Sequence, residues 1–101
     1  MSATFALNNS STATLTGQLH ADTVNALLEL GRAAIQHTDQ QQFTIDLSAV
    51  DDSSSAGVAL LLAWRQVAHL MSKQLIFKNI PARMQSIIDF SNLNDVLSIS
   101  R

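Results

Sequence analysis

The sequence predicts an α/β domain, a mixed and mostly parallel sheet of about five strands with helices packed on it. Strand-like and helical runs alternate in the order β-β-α-β-α-β-α-β, the pattern of parallel strands joined by helical crossovers. Two short β-favouring runs flank Asn8-Asn9-Ser10, a turn signal, so the sheet opens on a hairpin. Of the 101 residues 47% are hydrophobic and 14% charged, which suits one core and one domain over 1–101. Right-handed crossovers place successive helices on one face when the sheet grows in one direction.

Residues 3–7, Ala-Thr-Phe-Ala-Leu, form the first strand. Residues 12–16 alternate and are rich in Thr, which gives the second strand, ended by Gly17. Asp22 or Thr23 caps the first helix. Val24, Leu27, Leu28, Gly31 and Ile35 then recur on one helical face. Asp39 and Gln40 to Gln42 make the next loop. The short apolar run 43–47 is the central strand, and its one charged member, Asp46, is expected to bond to loop backbone. A polar segment follows, Asp51-Asp52-Ser53-Ser54-Ser55. It leads through Ala56-Gly57 into the most apolar helix, which starts around Ser54 to Gly57. Helical periodicity gathers Leu60, Ala63, Trp64, Val67, Leu70 and Met71 into its core stripe. Val58 and Leu62, then Arg65 and His69, take the outward side. Ser72-Lys73-Gln74 is a turn and residues 75–77 a strand. Asn79-Ile80-Pro81 opens a third helix with Pro81 at its first position, and Met84, Ile87 and Ile88 form its apolar side. After Ser91-Asn92, residues 93–99 return to the sheet as the last strand.

Composition narrows the chemistry. The net charge is −2 and the six Lys and Arg are scattered, so there is no basic stripe for nucleic acid. There is no cysteine, hence no disulfide framework and no thiol chemistry. His20, His37 and His69 lack metal-ligand spacing, and no glycine-rich phosphate loop is present, so no metal and no cofactor are expected. The serines lack a Gly-x-Ser-x-Gly elbow. His69 lies roughly 20 Å along the helix from its start by helical rise, too far to serve Ser55 as a base. The N-terminal residues carry no signal-peptide pattern, and the longest apolar run, 57–64, is too short to span a bilayer. A cytoplasmic protein without direct membrane insertion is expected.

The segments Asp46-Leu47-Ser48 and Ser54-Ser55-Ala56-Gly57-Val58 resemble the hallmark of STAS domains, the family of the anti-sigma-factor antagonists. Leu15 to Leu19 with Ala21-Asp22-Thr23, and Phe90 to Leu97, extend the resemblance over nearly the whole chain. Ala56 to Trp64 and Ile76 to Ala82 look most like one branch, the cytoplasmic STAS subunit of the Mla system, a phospholipid-transporting ABC transporter of Gram-negative envelopes. That resemblance implies a subunit that is not an enzyme. It would dock on the ABC transporter ATPase subunit, and through it on the permease, at the inner membrane. The implied contact residues are Ser54, Ser55, Ala56, Val58, Leu62 and Arg65. The alternative it implies is an anti-sigma-factor antagonist phosphorylated on Ser55 by a serine kinase partner. Where the family usually has Asp before its key hydroxyl, this chain has Ser54.

A hydroxyl at a helix N-terminus can cap the helix or face a partner, and for Ser55 both uses stay open. Three consecutive serines exceed what one cap needs. A phosphate on Ser55 would place about two negative charges at the positive end of the helix dipole, which the helix tolerates and an apolar partner surface does not. Val58 and Leu62 are covered either by another element, such as the third helix with Met84 and Ile88, or by a partner.

Overall fold

The computed structural model describes residues 2–97 and 99–100. Its elements are β1 (Ala3–Leu7), β2 (Thr12–Leu19), α1 (Val24–His37), β3 (Gln42–Ser53), α2 (Ser55–Leu70), β4 (Gln74–Lys78), α3 (Ala82–Phe90) and β5 (Ile99–Ser100). The strands form one sheet in the order β1-β2-β3-β4-β5. Among the described residues only β1 and β2 are antiparallel; every later pairing is parallel. The expected hairpin and element order are therefore present, and the sheet grows one strand at a time from one edge.

Burial alternates along β2 and β3. Ala13, Leu15, Phe43, Ile45 and Leu47 point into the core while Thr12, Thr14, Thr44 and Asp46 lie on the other face. The helices lie side by side, α1 on α2 and α2 on α3. Leu27, Ile35, Leu60, Leu61, Trp64, Met84 and Ile88 close the core from their side. An apolar layer thus sits between helices and sheet, and the strands keep the period-two pattern of a half-covered sheet.

Four boundaries differ from the sequence expectation, each for a local reason. Gly17 does not end β2. It takes φ +100 beside a register shift, and the strand bends and runs on to Leu19. Because β2 continues, β3 finds partners for its polar end: Gln18 pairs with Asp52 and Leu19 with Ser53. Asp51, Asp52 and Ser53 are strand, not loop. Pro81 stands just before α3 as its cap residue, with φ −60 and ψ 149, one place earlier than expected. Residues 93–97 form turns rather than a strand, with the Leu93 N–H donating to Ile88 O and the Leu97 N–H to Leu93 O. Ile99–Ser100 is strand, and Ser98 of the expected strand lies outside the described residues.

Side chains tie the layers together. Trp64 is fully buried, and its indole N–H donates to Leu28 O at 3.1 Å across to α1. A Cβ on Gly31 would stand 2.2 Å from Trp64 Cε2, so only glycine lets α1 lie against that ring. Gly31→Ala is expected to cost about 1–3 kcal/mol through overpacking, read as a lower urea midpoint; an unchanged midpoint would contradict this packing. Lys73 Nζ donates to Ile35 O at 2.7 Å and Thr38 O at 2.6 Å, closing the C-terminal end of α1.

Asp46 is satisfied differently from the loop-backbone bond expected of it: its partners are the backbone of its own strand and a side chain that follows β4. Its Oδ1 accepts from Asn79 Nδ2 at 3.0 Å and from the Ser48 N–H at 2.9 Å. These bonds, Asn79 first, hold its pKa below the usual 3.8. A depressed folded-state pKa gives stabilisation that is complete above the unfolded value and is lost as pH falls through the folded one. Asp46→Asn is therefore expected to flatten the loss of stability below pH 3.8, measured by urea unfolding across that range. An acid limb as steep as that of the unaltered protein would contradict it.

Candidate functional site

The C-terminal ends of β2 and β3 converge on the start of α2, and this junction gives the three serines different positions. The Ser53 side chain is buried, and its hydroxyl donates to Ser54 O at 2.9 Å. Ser54 is the N-cap: its Oγ accepts from the Ala56 N–H at 3.1 Å, and its own N–H donates to Leu19 O at 2.9 Å. The helix start is thereby fastened to the end of β2. Ser55 is exposed, and its hydroxyl forms no hydrogen bond among the described residues. The cap lies on Ser54, which leaves Ser55 at the positive end of a sixteen-residue helix with its oxygen turned to solvent.

Gly57 makes the junction tight. A Cβ there would fall 2.0 Å from Ser53 Oγ and 3.0 Å from Leu19 Cβ. The glycine brings α2 down onto the strand ends and fixes where Ser55 emerges.

Val58 is a correction. It is only 4% exposed and belongs to the core cluster that includes Met84 and Ile88 of α3, so it offers no surface to a partner. As the middle helix, α2 is covered from both sides, and its buried arc is wider than the sequence stripe suggested. Gly57, Val58, Leu60, Leu61, Trp64 and Ala68 fill it. Leu70 and Met71, expected in the core, are 73% and 42% exposed. Leu62 and Arg65 are half-buried, and Arg65 has no ion-pair partner among the described residues.

The outward line of α2 is Ser55, Ala59, Leu62, Gln66 and Leu70, with no charge along it. Beside it, α1 and α2 enclose an apolar groove of about 400 Å³ lined by Val24, Asn25, Leu28, Ala56, Ala59, Leu60 and Ala63 with Ala21 at its end. The sequence reading placed Ala56 at the site but missed the groove. Its far wall belongs to α1, and no local pattern shows that Val24 and Leu28 border the serine helix.

An ionic cluster sits at the same end of the sheet and was equally invisible to local patterns. Arg83 of α3 donates to Asp52 Oδ1 at 2.7 Å, and His20 Nε2 lies 3.9 Å from Asp52 Oδ2. The bond from Arg83 holds the Asp52 pKa below its ordinary value. The Asp52–Arg83 ion pair, joining β3 to α3, thus borders the serine junction, with His20 beside it.

Among the described residues no helix is long and apolar enough to cross a membrane.

The comparisons with known proteins agree with this architecture. A chain of the Acinetobacter MlaFEDB complex in its ATP-bound Vtrans2 conformation superposes with a TM-score of 0.84 at 22% identity, over 96% of this chain and 99% of that one. The anti-sigma factor antagonist SpoIIAA in its unphosphorylated form gives 0.74 at 16% identity, over 98% and 88%. The Bacillus cell fate determinant SpoIIAA in its phosphorylated form gives 0.70 at 17% identity, over 98% and 91%. At such identities the likeness is one of fold. No curated protein matches the sequence. The family profile described as "Mlab, STAS domain" matches residues 4–98. With nearly the whole chain under that profile and the same fold in each of these structures, the chain belongs to the STAS domain family.

Proposed function

We propose that this chain is a non-catalytic docking subunit of an Mla-type phospholipid ABC transporter, seated on the ATPase subunit and supporting its assembly or activity. The observation that carries the reading is the uncharged outward face of α2, which starts at the free Ser55 hydroxyl and runs beside an apolar groove. An apolar centre with polar groups at its margin is how protein interfaces are built. Ser55, Ala56 and Leu62 form that centre, Arg65 offers at its flank a guanidinium with no ion-pair partner among the described residues, and Ser54 holds the helix start in place. The match to the Mlab profile and the likeness to a chain of the MlaFEDB complex support the choice of partner. The protein would then lie in the cytoplasm, held at the inner membrane through the ATPase and permease. Titration of the purified chain against the ATPase subunit from the same cells tests the reading: saturable one-to-one binding is expected, and no binding at any reachable concentration contradicts it.

A second reading rests on Ser55 alone. An exposed hydroxyl at a helix N-terminus suits phosphorylation, and the fold is that of SpoIIAA, solved in unphosphorylated and phosphorylated forms. On this reading a serine kinase modifies Ser55, and the added charge expels an anti-sigma-factor-type partner from the same face. It requires phosphate on Ser55 in cells.

A further inference from the structure

We infer that β1 is a self-association edge through which two copies of this chain join their sheets into one. Among the described residues β1 is the outermost strand and pairs on one side only, with β2. The register shows which of its backbone groups are free. The Gln18 N–H donates to Ser2 O, and the Asn8 N–H to Thr12 O. The hydrogen-bonded positions of an antiparallel ladder alternate. Ser2, Thr4, Ala6 and Asn8 therefore bond toward β2, while the N–H and C=O groups of Ala3, Phe5 and Leu7 point away from the sheet.

Those three residues form a self-complementary set. A two-fold axis at Phe5 pairs Phe5 with the partner's Phe5, Ala3 with the partner's Leu7, and Leu7 with the partner's Ala3. All are hydrogen-bonded positions, and each pairs a large side chain with a small one or an aromatic ring with its own copy. Nothing in Ala3–Leu7 opposes this. The strand carries no charge, no proline and no bulge, the devices that usually guard an edge.

The flank of the edge is apolar as well. Phe5, Leu7, Leu30, Ala33, Ala34 and His37 line a cavity of about 360 Å³ between β1 and α1. Leu7 is 60% exposed and Leu30 52% exposed, the two large apolar side chains at that opening. Under the same two-fold axis each copy brings its exposed Leu7 to the partner's Ala3, so both ends of the joined edge carry an apolar flank. The occupant is a second copy rather than an unrelated strand because register, side-chain size and lack of charge all match under one two-fold axis. The α2 face proposed for docking takes no part in the pairing.

Sedimentation of the full chain over rising concentration tests the proposal. The mass is expected to climb from 10.9 kDa toward twice that value. Leu30→Asp puts a charge in the apolar flank. Ala3→Pro removes an outward N–H at the first strand position, where proline is tolerated, and spares the bonds to β2. Each variant is expected to weaken association at least 10-fold with an unchanged circular dichroism spectrum. Gln66→Asp, on α2, is expected to leave association unaltered. A monomer at every concentration overturns the proposal, and so does a dimer that Leu30→Asp leaves intact.

Discussion

Trp64→Ala is expected to lower stability by about 3–5 kcal/mol, the range for removing a fully buried aromatic side chain. Three losses combine at this position. The ring fills the space between α1 and α2 opposite Gly31, whose missing side chain exists to admit it. It also meets the Phe5 ring with centroids 5.6 Å apart, the planes tilted by 57°. Its indole N–H is the partner of Leu28 O, which truncation leaves without that donor. For a chain of this size such a loss lowers Tm by more than about 12 °C. Thermal unfolding followed by circular dichroism reads it directly. Trp64→Phe keeps much of the packing and gives up the hydrogen bond, so it should fall between the alanine variant and the unaltered protein. A shift of only a few degrees for Trp64→Ala would mean that α1 and α2 are joined chiefly by other contacts.

Leu62→Asp is expected to abolish docking on the ATPase while leaving the fold intact. Leu62 is half-buried on the outward line of α2, between Ala59 and Gln66, packed at the margin of the core and not within its buried set. A carboxylate there can stay hydrated in the free domain. On docking it would be carried into an apolar contact, and burying the carboxylate there costs several kcal/mol even with Arg65 three positions on along the helix. About 2.8 kcal/mol already weakens binding 100-fold. The expected result is a normal unfolding midpoint together with at least a 100-fold loss of affinity for the ATPase subunit. Full affinity with Leu62→Asp would place the interface elsewhere on the domain. Val58→Asp is not an equivalent test, since Val58 is a core residue and a charge there acts on folding.

Much of the fold was legible in the chain because its signals are local. The hairpin turn at Asn8 to Ser10, the periodicity of α1 and the apolar run of the central strand each lie within a few residues. The misread boundaries depend on contacts distant in sequence. Gly17 looks like a terminator until β3 lies beside it, and Asp51 to Ser53 look like loop until β2 extends to meet them. The same distinction holds at the site. The serine junction was visible as three hydroxyls before an apolar helix, but not how they share its positions, because the Ser54 N–H bonds to Leu19, thirty-five positions earlier. Val58 was misplaced because its burial in the core comes from tertiary packing that no local pattern shows. The groove against α1 and the His20–Asp52–Arg83 cluster likewise join elements that no window of sequence holds together.

The most direct test of the docking reading is an affinity pull-down of the tagged chain from its own cells, with mass spectrometry of the captured proteins and of the Ser53–Ser55 peptide. An ABC ATPase and its permease are expected in the captured material, with all three serines unmodified. Recovery of a serine kinase instead, with phosphate on Ser55 and no transporter subunit, would contradict the docking reading and establish the sigma-factor switch in its place.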